Sequence, residues 1–134
     1  MRIVIFDDEP CIGLQLKKLL EESGNDMTVE YFQEWHTLQF YFSQHAHVDA
    51  VFMDICFQGS TQNGIDYAEK LAKSNSQTKF IYVTASGGLF AADLSEQPRE
   101  TIRLSAKAFS ERRCAELCQE IAGGYFRFIG SVCL

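Results

Sequence analysis

Short apolar runs and stretches of helical period alternate along the chain from its first residues. Arg2–Phe6 is a continuous apolar, β-branched run, the pattern of a strand buried on both faces. Pro10 suits the first turn of a helix; Ile12, Leu16, Leu19 and Leu20 then recur at helical spacing until Ser23-Gly24 closes the pattern. Thr28–Phe32 alternates and predicts a second strand. Residues 34–44, with Trp35, Leu38, Phe40, Tyr41 and Phe42, predict a second helix despite the aromatic content. Residues 48–53 predict a third, buried strand, followed by a polar, Gly-containing loop over 57–63. Beyond it the pattern predicts a helix over 64–74, a strand over 79–84 and a short helix over 89–97 that stops at Pro98. A fifth, less apolar strand over 101–106 precedes a last helix over 110–122, with Ser110 as its cap.

Strict strand–helix alternation over five units predicts an α/β fold, a doubly wound five-stranded parallel sheet with helices on both faces and the flavodoxin-like order 2-1-3-4-5. Right-handed crossovers then place every strand C-terminus along one edge. Residues 1–122 form one predicted domain. After Gly123-Gly124 comes the run YFRFIGSVCL, too apolar for a solvated tail, so residues 123–134 are expected to add a strand, form an interface or begin a truncated output domain.

Composition narrows the class. A chain of 134 residues, 46% hydrophobic and 22% charged, is long enough for a real core in one domain. No apolar run approaches the ~18 residues of a membrane span, and three acids and a proline within the first ten residues argue against a signal peptide there. The net charge of −6 argues against direct nucleic-acid contact by this segment. Five cysteines, with no C-x-x-C pair, suit reduced thiols in a cytoplasmic protein. Cys114 and Cys118, four apart on a predicted helix, are read as packing residues.

The candidate chemistry lies where the strands end. The first strand ends in Asp7-Asp8-Glu9, the third in Asp54 and the fourth in Thr84, and Lys107 follows the fifth. Singly these are ordinary residues; an Asp-Asp pair after a strand is commonly a helix N-cap worth ~1 kcal/mol. Together they fall on the carboxyl edge, where open α/β sheets bind ligands. Two unit charges ~4 Å apart repel by about 4 kcal/mol at an effective dielectric near 20, so Asp7, Asp8 and Asp54 must be protonated, solvated apart or bridged by a cation. An all-oxygen set with open positions suits Mg²⁺ and a phosphate, to which Thr84 offers a hydroxyl donor and Lys107 a positive charge.

At these residues the sequence resembles the receiver domain of bacterial two-component response regulators. The segments IVIFDDEP, AVFMDI, NGID, IYVTAS and the Lys107-Ala108-Phe109 run carry the likeness. The spacings agree as well, with thirty residues from Asp54 to Thr84 and twenty-three from Thr84 to Lys107. The run MDICFQGSTQNGIDYAEKL looks most like receivers joined to LytTR-type DNA-binding domains. The resemblance implies that Asp54 is the phosphoacceptor, served by a histidine kinase or a small phosphodonor. It implies a Mg²⁺ cofactor held by Asp8 and Asp54 directly, by Asp7 through water and by the backbone carbonyl of Cys56. Thr84 and Lys107 take the positions of the hydroxyl and amine that contact the phosphoryl group, and Thr84 and Leu104 those of the switch. It further implies a phosphorylation switch rather than an enzyme with its own substrate, acting on an output domain or downstream protein. Homodimerisation would use the fourth helix, fifth strand and fifth helix, or the C-terminal tail.

Three departures mark the sequence. Ala108 replaces the usual proline after the lysine, Leu104 replaces a Tyr or Phe, and the loop between Asp54 and Gly64 lacks its usual proline. Ala108 and Leu104 keep open a degenerate receiver that works as a phosphorylation-independent interaction module. An aspartyl-phosphate hydrolase of haloacid dehalogenase type is the other alternative, but it wants Asp-x-Asp after the first strand, where this chain has Asp7-Asp8-Glu9. A flavodoxin-like cofactor binder wants a Ser/Thr/Gly-rich loop there, and the acids would repel its phosphate.

Overall fold

The apolar runs become strands and the periodic stretches helices in a computed structural model, which describes residues 1–24, 26–55, 57–83, the backbone of 101–104, and residues 116 and 119. The strands are β1 (Arg2–Phe6), β2 (Thr28–Phe32), β3 (Ala50–Asp54), β4 (Lys79–Val83) and β5 (Thr101–Leu104). All pair in parallel, in the order β2-β1-β3-β4-β5. The fold class is therefore the one predicted, a parallel α/β sheet with the flavodoxin-like order.

Three described helices cover the sheet: α1 (Pro10–Ser23), α2 (Trp35–Gln44) and α3 (Gly64–Ala72). Successive strand residues point to opposite faces, so each apolar run feeds two cores. Ile3, Ile5, Ala50, Phe52, Ile81 and Val83 meet Leu16 and Leu20 of α1 on one face. Val4, Phe6, Val51, Met53, Phe80 and Tyr82 meet Leu38 and Phe42 of α2 and Ile65, Ala68 and Leu71 of α3 on the other. This double burial is why β1 and β3 read as continuous apolar runs. On the outer side of α1, the Lys17–Glu21 and Lys18–Glu22 pairs at 3.7 and 3.9 Å add a few tenths of a kcal/mol each.

Element ends shift from the sequence expectation for local reasons. β3 starts two residues late, at Ala50 instead of Val48. Val48 is buried, but the Asp49 carboxylate accepts the Arg2 N–H at 2.7 Å, so a side chain occupies the place of a ladder acceptor. α2 begins one residue late because Glu34 is its extended N-cap. α3 ends at Ala72, two residues early, where its last turn tightens: Ser74 and Asn75 donate to Leu71 and Ala72 carbonyls three residues back. Gly24 ends α1 in an extended conformation (φ −162°, ψ 155°), not the left-handed one common at helix ends. β4 is described to Val83 and β5 to Leu104; the last predicted positions of each, Thr84 and residues 105–106, lie outside the described residues. The helices predicted over 89–97 and 110–122, Cys114, Cys118 and the tail 123–134 lie outside the described residues, apart from Glu116 and Gln119, which are helical. Among the described residues, no helix is long and apolar enough to cross a membrane.

Candidate functional site

The register of the sheet delivers the acidic residues to one place. Phe6 of β1 pairs with Met53 of β3, and the two strands run in the same direction. Asp7 and Asp8 therefore leave β1 beside Asp54, the last residue of β3. One carboxylate oxygen from each of Asp7, Asp8 and Asp54 lies within 4.8 Å of the others. Asp54 in turn pairs with Val83, the residue before Thr84, and Val83 pairs with Leu104 at the end of β5. Cys56, Thr84, Lys107 and Ala108 lie outside the described residues.

Asp7 is buried, 4% exposed, while Asp8 and Asp54 are half-buried. Burial penalises the charged form of Asp7; the Glu9 N–H, donating to Oδ1 at 2.8 Å, opposes that, and the charges of Asp8 and Glu9 add to it. The net result pushes the Asp7 carboxyl up to about 6. Neither aspartate caps α1: its N-cap is Glu9, with no side-chain cap bond, and Pro10 opens the helix. The Asp-Asp pair is thus spent on the strand end rather than on capping.

Bonds from three segments hold this edge. Asp8 Oδ2 accepts from the Gln58 N–H at 3.0 Å, which ties the loop after β3 to the loop after β1. The Asp8 carbonyl accepts from Gln33 Nε2 at 3.3 Å. The Tyr31 hydroxyl donates to the Asp7 carbonyl at 2.8 Å; burial, with the charges of Asp7 and Asp8, pushes its pKa up to about 12, so it remains a donor at physiological pH.

Beneath the acids lies an aromatic cluster. Phe6, just before Asp7, makes an edge contact with Phe57 at 4.6 Å, and Tyr67 of α3 lies 5.3 Å from Phe6 and 5.2 Å from Phe57. Trp35 stacks on Tyr67 at 4.6 Å, and the Tyr67 hydroxyl meets the Ser60 hydroxyl at 3.0 Å. The loop after Asp54 lacks a proline, and aromatic packing and these polar bonds fix it instead.

The start of α3 closes the site from the other side. Asn63 accepts from the Asp66 N–H at 3.0 Å while the Asp66 carboxylate accepts from the Asn63 N–H at 2.9 Å, a reciprocal capping box. The Gly64 N–H donates to the Ile55 carbonyl at 2.8 Å, and a Cβ on Gly64 would lie 1.8 Å from the Asp54 carbonyl oxygen. A side chain at this position is excluded by backbone, not by a movable group. The sequence signal of the capping box is Asn63 followed three residues later by Asp66 at the head of a helical pattern. The roles of Tyr31 and Phe57 had no local signal.

The donor set is hard and all-oxygen, on strand ends that place three carboxylates within reach of one ion. Mg²⁺ takes oxygen ligands at about 2.0–2.1 Å and keeps several waters, which these residues fit. A divalent cation would also offset the electrostatic cost recorded in the raised Asp7 pKa.

Comparison with known proteins agrees with the geometry. The family model of the response regulator receiver domain matches residues 3–97, and the chain belongs to that family. No curated protein matches it in sequence. Among solved structures, the RcsB response regulator of Salmonella typhimurium, described for its conformational dynamism in DNA interaction, matches with a TM-score of 0.77 at 16% identity. That match covers 98% of this chain and 64% of RcsB. NtrX from Brucella abortus matches with a TM-score of 0.74 at 18% identity, over 92% of this chain and 27% of NtrX. The chain thus spans less than two thirds of the length of either regulator. The isolated receiver domain of RcsB from Salmonella enterica serovar Typhimurium, solved with the phosphomimetic BeF3-, matches at 0.76 and 16% identity, over 98% of this chain and 95% of that one. At these identities the likeness is one of fold.

Proposed function

We propose that this domain accepts a phosphoryl group on Asp54, from the phosphohistidine of a partner kinase or from a small phosphodonor, and passes the change to an output domain or downstream protein. The observation that carries the reading is the convergence of Asp7, Asp8 and Asp54 within 4.8 Å at adjoining strand ends. Asp8, Asp54 and the Cys56 carbonyl, with Asp7 through water, would hold a Mg²⁺ ion, which would supply positive charge against the transferring phosphoryl oxygens.

The chain's own groups do the rest. The Asp54 carboxylate attacks phosphorus in line, the bond to the donor breaks, and an acyl phosphate results. Lys107 neutralises phosphoryl charge and Thr84 donates to a phosphoryl oxygen, in the roles implied by the family resemblance. The product carries about −1.5 to −2 charge beside Asp7 and Asp8, which biases the neighbouring loops. A receiver in a bacterial cytoplasmic regulator, with Thr84 and Leu104 at the switch positions and 1–122 as the domain, is the setting we propose.

Incubation with acetyl phosphate or beryllofluoride and Mg²⁺ tests this directly. Wild type should form an acid-labile adduct that Asp54→Ala does not form. A chain with neither an Asp54-dependent adduct nor beryllofluoride binding is not a phosphoacceptor, and the interaction-module alternative then stands. In the same assay Lys107→Ala should leave Mg²⁺ affinity within about two-fold, since a cation is no metal ligand, yet reduce adduct yield at least ten-fold. Unchanged yield would refute the assigned role of Lys107.

A further inference from the structure

Tyr31 stands next to last in β2, the strand beside β1. Its hydroxyl donates to the Asp7 carbonyl at 2.8 Å, and the Asp7 N–H donates to the Phe32 carbonyl at 3.2 Å. The peptide groups on both sides of Asp7 are therefore tied to β2. The Asp7 carbonyl belongs to the rigid plane that joins Asp7 to Asp8. Fixing its oxygen fixes the rotation at both flanking Cα atoms, and with it the directions in which the two carboxylates leave the backbone. The Asp8 carbonyl is bonded from the same side, by Gln33 Nε2 at 3.3 Å.

Gly13 of α1 makes the hydroxyl's placement possible. A Cβ on Gly13 would lie 2.2 Å from Tyr31 Cε2, 2.6 Å from Cδ2 and 2.7 Å from Cζ. The ring rests against bare helix backbone, and any side chain on Gly13 displaces it.

We propose that Tyr31 is a positioning residue for the divalent-cation site: with its ring seated on Gly13, its hydroxyl sets the orientation of the Asp7–Asp8 peptide from which two of the three carboxylates project. The inference rests on reading those carboxylates as a Mg²⁺ site. It predicts that a group touching no metal ligand oxygen controls metal affinity, and that a residue on α1 does so through it.

Calorimetric titration of the full chain with Mg²⁺ alone, paired with thermal unfolding in EDTA, tests the proposal. Tyr31→Phe keeps the ring and removes one hydrogen bond, so its Kd for Mg²⁺ should rise roughly five-fold. Gly13→Ala should weaken Mg²⁺ in the same direction although Ala is the better helix former, because it moves the hydroxyl without deleting it. Tyr41→Phe is the control: it loses the bond from Arg2 Nη1 at 3.2 Å, at the other end of β1, and should keep the wild-type Kd. A wild-type Kd in both Tyr31→Phe and Gly13→Ala, whatever their melting temperatures, overturns the positioning role and leaves Tyr31 a packing residue. A wild-type chain that binds no Mg²⁺ at millimolar concentration removes the cation-site reading itself, and this inference with it.

Discussion

Asp7→Asn should make the metal-free chain more stable at neutral pH, by up to about 3 kcal/mol. The Asp7 carboxyl is 4% exposed, and its pKa is raised from 3.8 to about 6 by burial, opposed by the Glu9 N–H and reinforced by the charges of Asp8 and Glu9. Between those two values the folded chain binds more protons than the unfolded chain, so stability is greatest below pH ~4 and falls as pH rises through ~6. Asn keeps an oxygen to accept the Glu9 N–H and carries no charge to desolvate. Urea denaturation in EDTA should therefore show a large gain for the variant at pH 7 and little at pH 4. An equal gain at both pH values, or a loss at pH 7, would sink the account. With Mg²⁺ the order should change. A ligand at a hundred times its Kd stabilises by about 2.7 kcal/mol, and the variant should receive much less of that increment. By the same linkage, wild-type Mg²⁺ affinity should decline as pH drops below ~6, because protonated Asp7 competes with the ion.

Gly64→Ala should cost about 3 kcal/mol, on the order of 10 °C in Tm, despite the better helix propensity of alanine. The added Cβ would sit 1.8 Å from the Asp54 carbonyl oxygen and 2.9 Å from Met53 Cγ. The first obstacle is backbone at the end of β3, so relief requires α3 to withdraw or Asp54 to move. Either movement strains the Gly64 N–H bond to Ile55 and displaces the acidic site. Urea and thermal unfolding measure the loss, and beryllofluoride binding reports the displacement of Asp54. A variant within about 0.5 kcal/mol of wild type, as ordinary surface substitutions are, would show that the contact is easily relieved.

Both predictions fall on residues whose sequence signal differed. Asp7 was legible because the Asp7-Asp8 pair and Asp54 stand at the ends of two buried apolar runs that the expected strand order makes neighbours. NGID was legible as part of a family likeness, but Gly64 carried no sign that its missing Cβ makes room for Asp54. Strand ends were less legible than strands, since Asp49 substitutes its side chain for a ladder partner and the carbonyl of buried Val48 accepts from the Thr78 hydroxyl at 2.7 Å. Tyr31 read as one position of an alternating strand, and Phe57 as the start of a polar loop. Each acquires its role from partners ten or more residues away, Tyr31 from Asp7 and Gly13, Phe57 from Phe6 and Tyr67.

Patterning by itself determined the five strands, the helices between the first four of them, the burial of the sheet on both faces and the carboxyl-edge location of Asp7, Asp8 and Asp54. These follow from side-chain period and the handedness of crossovers, which act locally along the chain. The tertiary structure decided how closely the three carboxylates approach, which of them is forced toward protonation, and which neighbours hold their peptides in place. Those quantities depend on register between strands, on the dielectric made by packing, and on close contacts between elements distant in sequence, none of which a linear pattern encodes.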